Sequence, residues 1–220
     1  GCFALFQANQ LTQIIQDQVF VPFGLFSHNP MIGQLMIGVL LAGVISLVIF
    51  GGIRRIGQVA ARLVPAMVLL YMLCGFFILI GNITNLDDIF LLIINDAFTG
   101  HAVAGGTLGT VMITGIRRAA FSNEAGIGTE SMAHGAAITK EPVREGLVAM
   151  LGPMIDTLVV CSITGFAILS TGVWMDSNLN GISMTSAAFK AGLPFMGETM
   201  LLIIVCVFSI TTIIGYSYYG

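Results

Sequence analysis

Long uncharged apolar runs alternate with short polar connections along this chain, and the run lengths set the scale of the structure. Residues 31–50, 63–83 and 199–220 contain no charged side chain, and residues 147–175 contain one, Asp156. A helix rises 1.5 Å per residue, so about 20 residues cross the roughly 30 Å hydrocarbon core of a bilayer. These four runs predict four membrane-spanning helices. Residues 102–116 are apolar but short; a polar interruption follows, and then residues 129–139, rich in small side chains. Together they predict one span broken into two half-helices. The chain up to about residue 10 reads as the end of a further span. In residues 10–20 Leu11, Ile14, Ile15 and Val19 recur at helical spacing among polar neighbours, which predicts an amphipathic helix lying along the membrane interface. Residues 87–98 fit the same description.

Composition settles the solvent. Hydrophobic residues make up 56% of the 220, charged residues only 9%, and the mean hydropathy is +0.97. That leaves too little polar surface to coat a soluble domain, so the chain is read as a multi-pass protein of the cell membrane. The net charge of -3 is small and scattered, which excludes a nucleic-acid face and a polybasic lipid patch. Cys2, Cys74, Cys161 and Cys206 sit in apolar runs without metal or redox spacing and read as packing residues. Arg54, Arg55 and Arg62 lie between two spans, and Lys140 and Arg144 follow the broken one. Asp87, Asp88, Asp96 and Asp176 fall on the opposite side. The positive-inside rule then puts the basic connections in the cytoplasm. No nucleotide loop or hydrolase motif is present, so an enzyme or an ATP-driven pump has no support. The first and last residues lie inside apolar runs, and the chain reads as an internal segment of a longer protein.

Residues 117–128, RRAAFSNEAGIG, are the polar interruption, and they carry the candidate chemistry. Backbone leaves the helical state at membrane depth only where it is buried in protein or lines a cavity, and transporters bind substrate and ion at such discontinuous helices. Gly126 and Gly128 can expose backbone amides toward a carboxylate at the start of the second half-helix; the competing explanation is close helix packing. Ser122 and Asn123 bring oxygens suited to sodium or an ammonium group, with helix capping as the alternative. Arg118 and Glu124 flank the break and are expected to compensate each other or another helix, as intramembrane charges do. Asp156, alone in its span, is a candidate for ion coupling or for a structural pair. Phe208, Thr211 and Thr212 fall at i, i+3 and i+4, so one carbonyl and two hydroxyls share a helix face. Taken alone those threonines read as packing residues bonded to their own backbone.

Beyond these local arguments, Phe121–Gly128 (FSNEAGIG), Ala133-His134 and PVREGLVA at 142–149 closely resemble the signature of the alanine or glycine:cation symporter family, sodium:alanine symporters of the amino acid-polyamine-cation superfamily. FQAN at 6–9, GGIRRI at 51–56, IDT at 155–157 and TIIGYSYYG at 212–220 extend the likeness along almost the whole chain. The resemblance implies an all-α, leucine-transporter-like bundle of two inverted five-helix repeats. This chain would run from about helix 3 to helix 8 as one transporter domain, incomplete at both ends. It implies symport of alanine or glycine with sodium, no organic cofactor, no obligatory protein partner, and the lipid bilayer as surroundings. Phe121 becomes a wall or lid over the substrate. Gln7, Ser122, Asn123, Gly126, Gly128, Thr212, Gly215 and Tyr216 become substrate-binding candidates. Phe208, Thr211, Thr212 and Ser122 become sodium-site candidates. For Gln7 an interhelical hydrogen bond competes with substrate contact. The sequence departs from the family pattern at Tyr216 (usually Trp), Thr211 (usually Ser) and Thr129-Glu130-Ser131 (usually Ser-Ala-Pro), which leaves pocket size and preference open. No chemistry is assigned to His134 or Lys140. The rival readings are a proton-coupled transporter of the same fold, a channel, and a segment inactive in isolation.

Overall fold

The computed structural model describes residues 2–26, 29–98, 113, 115–116, 128–135, 137–176 and 178–218, and every regular element among them is helical. Helix α1 (Cys2–Ile15) continues into a π-helical turn, Gln16–Phe20. Then come α2 (Pro30–Ile49), α3 (Gly52–Gly81), α4 (Leu86–Phe98) and the short α5 (Glu130–Gly135). Helix α6 (Pro142–Met154), a π-helical stretch Ile155–Cys161 and α7 (Ser162–Ser170) form one continuous rod. Helices α8 (Ile182–Gly192) and α9 (Gly197–Tyr218) complete the order.

Four of these helical rods are long and apolar enough to cross a membrane: Pro30–Ile49, Arg55–Gly81, Pro142–Ser170 and Gly197–Ser217. They coincide with the four apolar runs of the sequence. Large apolar side chains stand open along them, among them Leu35, Val39, Leu40 and Leu47 on α2, each about two-thirds exposed. Apolar exposure on that scale makes sense facing lipid rather than water. Lipid tails are as apolar as these side chains, so burial drives helix association weakly here and close packing drives it instead.

The segment expected to lie along the interface packs its apolar face on protein. Residues 10–20 extend α1 and its π-helical turn, and Leu11 and Ile14 are only 2% exposed. Their apolar face is spent on neighbouring protein, since α1 packs against α9, α2 and α8. The polar face is also occupied: the Gln13 amide donates to Ser183 Oγ at 3.1 Å and the Gln18 amide to Ser186 Oγ at 2.8 Å, both on α8. A π-turn resets the phase of the residues that follow it. That lets Gln18 reach the helix that Gln13 already reaches.

The described chain divides into two compact units. In Gly1–Ile78 with Thr171–Gly220, α9 packs on α1, α8 and α2. Tyr71 on α3 and Phe189 on α8 bring their rings to 5.5 Å, and Phe189 is fully buried. Lys190 pairs with Glu198 at 3.0 Å on the exposed surface. In this exposed position the pair is worth under about 1 kcal/mol, so Lys190→Gln is expected to leave the thermal midpoint within a degree or two of wild type. In Leu79–Ser170, α4 packs against α7, and α6 and α7 flank the π-helical stretch. Pro153 lies in the last turn of α6. Its missing N–H removes one backbone bond and accounts for the change of winding that follows.

Candidate functional site

Helix α9 presents the best-defined part of the candidate site. Leu201, Ile204, Ile213 and Ile214 anchor it in the core of its unit, each 8% exposed or less. Phe208, Thr211 and Thr212 stand between these anchors, and Gly215 and Tyr216 follow them. Thr211 is 8% exposed. Its hydroxyl donates to the carbonyls of Val207 at 2.8 Å and Phe208 at 3.0 Å. This is the back-bonding expected of threonine in an apolar helix. The donor is therefore spent while the oxygen lone pairs stay available, which is the protonation geometry that a cation ligand requires. The Phe208 carbonyl, already accepting from Thr211, would be shared with any cation bound beside it. Thr212, Gly215 and Tyr216 are half-buried, placed between the core and open space.

Gln7 is half-buried on α1, the helix that packs along α9. Gln18, in the π-helical turn that follows α1, bonds Ser186 on α8, one turn before Phe189, against whose carbonyl Gly197 at the start of α9 is packed.

The other unit holds Gly128 and Asp156. Gly128 has φ +89°, the left-handed region that L side chains rarely adopt. Its carbonyl accepts from Ser131 Oγ at 2.7 Å, and α5 starts two residues later. The backbone therefore does turn sharply at the end of the polar interruption. Asp156 is half-buried in the π-helical stretch, a backbone form common at functional sites. His134, to which the sequence assigned no chemistry, holds Glu145 at 2.7 Å and so ties α5 to α6. Arg118, Phe121, Ser122, Asn123, Glu124 and Gly126 lie outside the described residues.

Sequence reasoning missed one residue that the structure brings forward. Ser209 is 0% exposed, and its Oγ is the one buried side-chain polar atom without a hydrogen-bond partner among the described residues. The signal was present in the i, i+3, i+7 spacing of Ser209, Thr212 and Tyr216, overshadowed by the neighbouring Thr211-Thr212 pair.

Comparison with known proteins gives the arrangement its context. The model of the sodium:alanine symporter family matches residues 1–220. An uncharacterized transporter of Haemophilus influenzae is 36% identical over 219 residues, covering 97% of this chain and 46% of its own length. The sodium/alanine symporter AgcS of Methanococcus maripaludis is 37% identical over 225 residues, covering 100% of this chain and 48% of its own. The probable sodium/glutamine symporter GlnT of Bacillus subtilis is 37% identical over 187 residues, with 85% of this chain and 39% of its own covered. The chain thus spans about half the length of the curated relatives it matches.

Proposed function

Because the chain belongs to the sodium:alanine symporter family, we propose that the protein it forms part of carries a small neutral amino acid across the cell membrane together with sodium. Carriage is by alternating access in a leucine-transporter-like bundle of inverted repeats. The observation that carries the reading is the match of the sodium:alanine symporter family model to residues 1–220; Thr211, buried and bonded back to Val207 and Phe208 like other hydroxyls of these helices, is compatible with it, since its oxygen keeps an acceptor lone pair beside the Phe208 carbonyl. With Thr212 next to it, that face offers oxygens and no fixed charge, which suits a hard monovalent cation.

The substrate brings a carboxylate, an ammonium and a small side chain. Gly126 and Gly128 at the polar interruption would offer amides to the carboxylate, with Ser122 and Asn123 as oxygen donors and Phe121 as the covering wall. Gln7, Thr212, Gly215 and Tyr216 are the further candidates for substrate contact. Arg118 and Glu124 would compensate each other beside the site, and Asp156 would serve coupling or a structural pair. Bound sodium favours one access state only by binding it more tightly than the other, so coupling resides in which oxygens each state brings together.

Competition identifies the substrate class. Unlabelled alanine, glycine and glutamine are added to sodium-driven uptake of labelled alanine by the full-length transporter in proteoliposomes. Alanine and glycine should compete at concentrations at least about tenfold lower than glutamine, since one misfitting side chain in a closed pocket is worth a factor of this order. Glutamine competing better than alanine would move the assignment to a larger amide substrate. Tyr216→Trp should shrink the pocket and shift preference toward glycine; unchanged relative uptake of glycine, alanine and serine would remove Tyr216 from the pocket.

A further inference from the structure

Hydroxyls on the helices of this chain are usually satisfied by their own backbone. Thr12 donates to Ala8, Thr164 to Val160, Thr211 to Val207 and Ser217 to Ile213, all at 2.7 to 2.8 Å. Ser209 has the same option and does not take it. Its side chain is wholly enclosed, yet among the described residues Oγ meets no donor or acceptor. A buried polar group left unpaired costs stability, and alanine in its place would cost nothing. An unpaired hydroxyl retained inside a packed core therefore points to a partner that comes and goes.

The position of Ser209 says what that partner is. On α9 it stands one turn before Thr212 and two before Tyr216, at i, i+3 and i+7 on one helix face. The groups on this face, two aliphatic hydroxyls and a phenol, are neutral and rich in oxygen. They can accept from or coordinate a small positive charge; a bare carboxylate would instead call for fixed positive charge or a set of amides. We propose that Ser209 Oγ is a ligand for a monovalent cationic group, either sodium or the ammonium of the substrate, and that it extends the binding face of Thr212 and Tyr216. This inference rests on the transport reading above and adds a specific residue to it.

The test uses the full-length transporter and Ser209→Ala, with thermal stability and uptake measured in parallel. Without sodium or alanine, the variant should melt at or above the wild-type midpoint, because an unpaired buried hydroxyl has been removed. It should nevertheless need about tenfold more of the cation for half-maximal effect, the worth of one hydrogen bond to a charged group. Titrating sodium without substrate and titrating alanine at saturating sodium separate the two sources: the arm that moves identifies the ligand. Ser209→Thr, which keeps the hydroxyl, should retain affinity where Ser209→Val loses it, and this pair carries the test if the alanine variant fails to fold. Unchanged sodium and alanine titrations in Ser209→Ala, or equal affinities in the Thr and Val variants, overturn the assignment. A wild-type protein whose stability and uptake respond to neither sodium nor alanine overturns the transport reading, and the assignment with it.

Discussion

Replacing Gly197 with alanine is expected to cost the protein about 3 kcal/mol or more, near the upper end for overpacking a tight site, and most of it should fail to fold. Gly197 opens α9 directly after the 193–196 connection, where its N–H donates to the Leu193 carbonyl at 2.8 Å. A Cβ placed there would collide with the backbone carbonyl of Phe189, with Leu193 Cβ also only 3.1 Å away. Backbone cannot swing aside as a side-chain tip can. Phe189 is itself fully buried and stacked near Tyr71, so the end of α8 has no room to retreat. Gly165→Ala is the matched control. That position lies within α7 with nothing near a new Cβ, and an alanine there should gain up to about 1 kcal/mol of helix propensity. Thermal denaturation of the two full-length variants in detergent should move in opposite directions. A wild-type midpoint for Gly197→Ala would show that α8 and α9 do not meet as described.

Gly128→Ala should act differently, on function more than on folding. No atom lies within 4 Å of a Cβ built at Gly128, so there is no clash; the cost comes from φ +89° alone. Holding an alanine in the left-handed region costs about 1–2 kcal/mol, which translates to a 5- to 30-fold loss of the conformer that has this turn. The turn stands at the exit of the polar interruption, just before α5. Uptake should fall by roughly that factor while the thermal midpoint shifts by only a few degrees. Wild-type uptake from Gly128→Ala would separate this turn from the transport cycle. A glycine that is needed for space and a glycine that is needed for φ are thus told apart by which assay fails.

How much of this was legible beforehand follows from the physics of each feature. The four spanning rods were, because a 30 Å apolar slab demands about 20 uncharged residues and leaves no alternative at that length. The shared face of Phe208, Thr211 and Thr212 was legible because helical spacing alone places it. The destination of residues 10–20 was not. An amphipathic pattern says that one face is apolar, and it does not say whether lipid or protein covers that face; Leu11 and Ile14 are covered by protein. The pairing of Gln13 and Gln18 with Ser183 and Ser186 spans about 170 residues of sequence, and no local pattern announces a contact of that separation. The π-helical turns were equally hidden, since a widened turn depends on what its neighbours offer. Ser209 shows the subtler case: its burial could be anticipated from its apolar surroundings, whereas its lack of a partner emerges only from the packed structure.

The central proposal, that sodium drives the movement of a small neutral amino acid, draws on the family, the four rods and the oxygens of α9. Accumulation of labelled alanine by the full-length transporter in proteoliposomes tests it most directly, with an inward sodium gradient compared against equimolar potassium and against a proton gradient alone. Saturable accumulation that requires sodium, and that weakens in Thr211→Ala and Thr212→Ala through a raised sodium requirement, is the outcome the account predicts. Accumulation that proceeds equally in potassium and follows the proton gradient would contradict it.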